Sequence, residues 1–166
     1  MTQVKIDIPL PEGIAKADRE AIADEIIEHI RERTEGGVDK YGKKFQGYSD
    51  EYIKSLDFRA ASKSAKKVNL TLSGDMLISL MLLKEQREKL TIGFRERDIE
   101  NDKALGNIKG TYGADHPITK PRDFMGIDTR ALAKIVRKYV DDMSLYEIER
   151  WMRSNYDAKQ SEKIPA

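Results

Sequence analysis

The residues able to do chemistry in this chain are few, and their spacing limits what they could do. The 166 residues include two histidines and no cysteine. Without a thiol there is no disulfide, no thiolate nucleophile and none of the usual zinc sites, which suits a protein made in a reducing cytoplasm. His29 falls beside Glu25 and Glu28 on the acidic side of a predicted helix, where a solvated imidazole is expected. His116 stands between Asp115 and Pro117 in a predicted loop. An Asp-His pair there would need carboxylates for every other metal ligand. Glu96, Asp98, Glu100 and Asp102 alternate as in a calcium loop, but the glycine at the bend and the closing glutamate are missing. They fit better as acids at a helix start, favoured by the positive end of the helix dipole. Gly36-Gly37, Gly106 and Gly110 do not make a phosphate cradle. No nucleophile, base and orienting group fall together. The expectation is a protein with no catalytic, cofactor-binding or metal site.

Composition narrows the class further. Hydrophobic residues make up 39% and charged residues 36%, and 30 Lys and Arg stand against 29 Asp and Glu for a net charge of +1. Such a chain exposes long charged faces or hides them against partners. A near-neutral molecule has no global field to draw in nucleic acid, so DNA binding would need a local basic patch. Met1 to Leu10 lacks a basic stretch followed by an apolar run, so no signal peptide is expected. The longest apolar run, Met76 to Leu83, is broken by Ser79 and is far too short for a membrane span.

The elements that must position these residues follow from periodicity. Val4, Ile6, Ile8 and Leu10 alternate with Lys5, Asp7 and Pro9, a half-buried strand that Pro9 places at a sheet edge or exit. After the Pro11-Glu12-Gly13 turn, Asp18 is expected to cap a helix with Ala21, Ile22, Ile26, Ile27 and Ile30 on one face, ended by Gly36-Gly37. Val38 to Lys67 reads as a long loop, with a short helix from Ser49 or Asp50 to Leu56. Its Tyr41, Phe45, Tyr48 and Tyr52 lie among Lys40, Lys43, Lys44, Lys54, Lys63, Lys66 and Lys67. Loops of this length in a compact domain are usually functional or become ordered on assembly. Aromatic residues among lysines also fit contact with nucleic acid.

Ser73 or Asp75 can cap a short helix beginning at Met76, with Gly74 permitting the turn before it. Leu80 to Gln86 and Leu90 to Phe94 read as antiparallel strands joined by a charged hairpin, Arg87-Glu88-Lys89, with Leu90, Ile92 and Phe94 on one face. Helix through Glu85 is the competing reading on propensity. Asp98 should cap a helix to Ile108 whose apolar residues are Ile99, Ala104, Leu105 and Ile108. Pro121 to Ile127 is an extended segment. Asp128 caps a helix carrying Leu132, Ile135, Val136, Tyr139 and Val140, and Ser144 with Glu147 forms a capping box before Leu145, Ile148, Trp151 and Met152. Residues 157–166 read as a loose polar tail after a single domain spanning 1–156.

Four of these segments, in order, carry a resemblance. Val68 to Leu80, with Leu72, Ser73, Gly74, Leu77 and Ser79, is similar to a segment of bacteriophage virion-morphogenesis and tail-completion proteins. In that family a strand pair ending in apolar-Gly-aromatic follows, and Ile92-Gly93-Phe94 fills this place. An edge helix comes next, resembled by Ile99 to Ile108. A Pro-Arg-x-Phe-x-Gly closure comes last, matched by Pro121, Arg122, Phe124 and Gly126. Where the family often has a Tyr-Ala pair and a glycine-rich turn entering the edge helix, this chain has Glu100-Asn101-Asp102-Lys103-Ala104. The resemblance covers Val68 to about Tyr139, under half of the chain.

The fold expected is α+β: a small, mostly antiparallel sheet with helices packed on one face, covered mainly by the first helix and the helix after Asp128. The resemblance implies a structural virion protein at the capsid–tail junction or tail end. It would be made in the host cytoplasm and would meet copies of itself (a hexameric ring by analogy) and other neck and tail proteins, with DNA passing through the lumen. Arg122 and Phe124 would fix the closure or meet a neighbouring subunit. Tyr41, Phe45, Tyr48, Tyr52, Arg87, Glu88 and Lys89 are the candidate interface. The alternative is a nucleic-acid-binding module built on the Tyr/Lys loop 38–67.

Overall fold

The computed structural model describes residues 2–45, 75–110 and 121–158, together with Gly47, Lys54, Leu56 and Arg59. Within them the element order is β1 (Lys5–Pro9), α1 (Lys16–Glu35), α2 (Asp75–Ile78), β2 (Met81–Gln86), β3 (Lys89–Gly93), α3 (Ile99–Lys109), α4 (Thr129–Arg137) and α5 (Leu145–Met152). The last runs on through a π-helical turn, Arg153–Asp157. The fold is α+β.

The sheet is antiparallel, ordered β1-β3-β2. The alternation in β1 does what its period requires: Val4, Ile6, Ile8 and Leu10 are all buried. Ile6 pairs with Ile92 and Ile8 with Leu90, while Leu82 and Glu85 flank them from β2. Pro9 ends an edge strand, where its missing N–H costs no ladder bond. The hairpin forms as expected, with a two-residue Arg87-Glu88 turn and Lys89 already within β3, and this excludes helix through Glu85. A bulge between Leu82 and Lys84 interrupts β2.

Helix α1 lies across β2 and β3. Ile22, Ile26, Ile27 and Ile30 meet Leu90, Ile92 and Phe94 in one core, and full burial of each such side chain contributes roughly 1.5–3 kcal/mol. On the covered face Arg19 pairs with Glu85 through Nε and Oε1, so the carboxylate buried on β2 has its cation on the helix above it. Two expectations need correcting. The helix begins at Lys16 with Ala15 as its cap residue, and Asp18 sits in the first turn without capping, where its charge still suits the dipole. Helix α4 packs chiefly on α1 and α5, so α1 is the main cover of the sheet and α4 forms part of the next layer.

Local signals set the remaining ends. The Asp98 side chain accepts from the Glu100 N–H, Asp128 accepts from the Ala131 N–H, and Ser144 with Glu147 completes the capping box. The inward face of α3 is mixed. Ala104 is buried and Leu105 and Ile108 pack against the core as expected, but Ile99 is 66% exposed, while Glu100, Asn101 and Asn107 are buried. Asn101 explains why a polar residue takes the inward place. Its Oδ1 accepts from the Val4 N–H at 2.7 Å and its Nδ2 donates to the Thr2 carbonyl at 3.0 Å. One side-chain amide therefore meets the donor and the acceptor of the chain entering β1, as a neighbouring strand would.

Asp157 does not begin a loose tail, because it accepts from the Thr129 hydroxyl, and Tyr156 is buried with its hydroxyl accepting from the Ile127 N–H at 3.2 Å. The helix expected at Ser49 or Asp50 to Leu56, Val68 to Gly74 and the rest of the tail fall mostly or wholly outside the described residues.

Candidate functional site

Of the residues singled out by the resemblance, those described form one connected framework. At Gly93 the chain entering β1 leaves no room for a side chain: a Cβ there would lie 2.3 Å from the Val4 carbonyl oxygen and 2.7 Å from Lys5 Cα. Phe94 follows and meets Phe124 edge to face, with ring centroids 6.3 Å apart and planes at 77°. Both rings are fully buried, so Phe124 supports the fold. Leu77 is buried in the same core and Ser79 bonds back to the Asp75 carbonyl at 2.8 Å. Pro121 is exposed, and the Arg122 N–H donates to the Asn107 carbonyl at 2.7 Å, which ties the closure to the end of α3. Leu72, Ser73 and Gly74 lie outside the described residues.

The closure is held by residues that sequence reasoning missed. Arg33, near the end of α1, donates to the Gly126 carbonyl at 2.6 Å and also to the Phe124 carbonyl. Lys40 lies across Gly126, where a Cβ would come within 2.9 Å of Lys40 Cδ, and its Nζ reaches Asp123 Oδ2 at 2.7 Å. Burial pushes the Lys40 ammonium down, but the hydrogen bond and charge of Asp123 outweigh it and raise it above the ordinary lysine value. Burial lowers Arg33, and Tyr156, Asp39, Asp128 and Asp123 work in the opposite direction. The only sequence hint was a basic residue, Arg33, in the last turn of α1, which ordinarily signifies no more than a favourable helix end.

The first residues of the long segment are built, not loose. Val38 bridges to Lys44, the Asp39 carboxylate accepts from the Tyr41 and Lys43 N–H groups, and Gly42 takes a positive φ of 82°. Phe45 is buried in the core, which removes it from the candidate interface. Tyr41 stays there, 65% exposed with Lys40 Nζ 5.1 Å from its ring centroid. Arg87, Glu88 and Lys89 are exposed at the hairpin, while Tyr48 and Tyr52 lie outside the described residues.

Beside this turn an open cleft of about 560 Å³ runs between Tyr41, Ile127, Arg130, Arg153 and Tyr156. Apart from Arg130, its charged groups hold structure: Arg153 pairs with Glu149 at 2.9 Å, Lys40 with Asp123, Asp128 caps α4 and Asp157 takes the Thr129 hydroxyl. His29 is not the solvated imidazole expected. Its Nε2 is buried without a hydrogen-bond partner, and burial, then the neighbouring Arg33, hold its pKa below the ordinary value. Packing of α4 against α1 causes this, a long-range effect that charge spacing could not reveal. Glu100 pairs with Lys103 at 2.9 Å, as suits an acid in a first turn. Among the described residues no three His, Asp or Glu side chains could hold a metal together, and no helix is long and apolar enough to cross a membrane. His116 and Asp115 lie outside them.

No family model, no curated protein and no solved structure matches this chain.

Proposed function

We propose that the chain is a structural subunit of a bacteriophage particle, a tail-completion or neck protein that joins capsid and tail or caps the tail tube. It works by protein–protein contact, without a reactive centre, and assembles with copies of itself and with neighbouring neck and tail proteins. The observation that carries this reading is the linkage of the motif residues. Gly93 permits the close approach of β1, Phe94 meets Phe124, and Gly126 seats Lys40, so segments recognised separately in sequence act as one framework. A framework of this kind leaves function to exposed edges and turns. The hairpin Arg87-Glu88-Lys89 and the exposed Tyr41, Ile78 and Tyr146 are available for such contacts.

Purified protein added to tails lacking it should restore their joining to filled capsids, and virion proteomics should find it at the neck or tail end. A protein absent from particles and without effect on joining would refute the reading. The exposed Lys43 and Lys44 beside Tyr41 favour one rival, binding to nucleic acid. Tight, strongly salt-dependent binding of short DNA in a fluorescence anisotropy titration would support that rival.

A further inference from the structure

The charges on the outer faces of two helices are segregated by sign. On α1 the exposed row Glu20, Asp24, Glu28 and Glu32 is wholly acidic at four-residue spacing, with Glu35 beyond it. The row is about 18 Å long at 1.5 Å per residue. Like charges four apart repel within a helix, so nothing in the isolated helix favours this arrangement. Lys16 and Arg31 approach Glu20 and Glu28 only at 3.9 and 3.8 Å, and Arg31 is directed mainly to the carbonyls of Leu77, Ile78 and Leu80. On α4 the exposed residues Arg130, Lys134 and Arg137, followed by Lys138, are all basic over about 12 Å. Lys138 is engaged with Glu25 at 2.5 Å, whereas Arg130 and Lys134 make no ion pair among the described residues. Inert surfaces intersperse the two signs. Here a chain of net charge +1 concentrates each sign on its own helix face.

We infer that these faces dock on each other between copies: the acidic row of α1 in one copy meets the basic row of α4 in another. The occupant is a second copy of this chain, because both halves of the complementary pair lie on the same polypeptide. The contact joins two unlike faces, the kind of contact that builds a ring of identical subunits. Charge pairing of this kind sets orientation and encounter rate and is screened by salt. The inference rests on the assembly reading above and identifies the surfaces that reading would use. They differ from the hairpin and the loop expected from sequence.

The test is sedimentation or light scattering of the full chain at about 0.05 M and 0.5 M salt, where screening lengths differ severalfold. Wild type should self-associate at low salt and weaken at least about tenfold at high salt. Asp24→Lys with Glu28→Lys makes both faces basic, and Arg130→Glu with Lys134→Glu makes both acidic. Each double variant alone should be monomeric, and the two mixed in equal amounts should associate again. A misfolded variant would not recover on mixing. A monomeric wild type at low salt, or variants that fail to associate when mixed, would overturn the inference. Self-association indifferent to salt and to charge reversal would also overturn it, while leaving the assembly reading to its own tail-joining test.

Discussion

Replacing Gly93 by alanine adds one methyl group at a place where the fold has no room for it. The new Cβ would fall 2.3 Å from the Val4 carbonyl oxygen and 2.8 Å from Lys5 Cβ, and the first of these is backbone that no rotamer change can move aside. Strand β1 must therefore shift. A shift there threatens the bond from the Phe94 N–H to the Val4 carbonyl at 3.0 Å and the Asn101 bond to the Val4 N–H next to it. Overpacking costs about 1–3 kcal/mol, and a weakened backbone bond adds about 1 kcal/mol. The entropy removed from the unfolded chain returns about 0.4–1 kcal/mol. The clash wins, for a net loss of about 1–3.5 kcal/mol, or about 2–14 °C in Tm for a chain of this length. The control is Gly47→Ala, where a Cβ meets nothing within 4 Å. Differential scanning calorimetry of both variants beside wild type makes the comparison. If Gly93→Ala melts within about 2 °C of Gly47→Ala, the close approach of β1 to β3 is wrong.

Arg33→Met keeps much of the apolar stem but takes the donor from the Gly126 carbonyl and leaves the Phe124 carbonyl only the Gly126 N–H at 3.1 Å, and should cost about 1–3 kcal/mol in urea unfolding. Asn101→Leu fills similar volume yet strips both partners from the start of β1. It should cost about 2–4 kcal/mol and speed amide exchange at Val4 more than at Ile92. His29 titrates below its ordinary value of 6.5 in the fold, so on acidification the unfolded chain takes the proton first. Its contribution to stability is complete above about pH 6.5 and is lost as pH falls toward the folded value, and His29→Gln should flatten urea midpoints between about pH 7 and pH 5. Ser144→Ala removes half of the capping box and should cost about 1 kcal/mol, with hydrogen exchange rising first at the start of α5.

What could be read in the sequence was local. The period of Val4 to Leu10, the hairpin around Arg87-Glu88, and the caps Asp98, Asp128 and Ser144 each depend on neighbours within a few residues. The structure has all of them. What could not be read depends on contacts between distant parts of the chain. Asn101 looked like a departure from the expected pattern because its partners, Val4 and Thr2, lie 97 and 99 residues away. Arg33 drew no reading and Lys40 stood only among the loop lysines, because their partners at Asp123 to Gly126 lie far along the chain. Phe45 counted as a loop aromatic because its burial depends on tertiary packing. The α1 start was misplaced because Ala15 offers no side-chain cap to recognise.

The two rims of the sheet bear on how such a molecule survives crowding. At one rim β1 ends in Pro9, which has no N–H to offer an incoming strand, and begins with the exposed Lys5. At the other, β2 is kinked at Leu83 and carries Lys84 outward. Neither border offers a straight, dry template for ladder growth, the route by which concentrated β-proteins turn to fibre. Copies held in close quarters would therefore meet through side chains and not by extending one another's sheets.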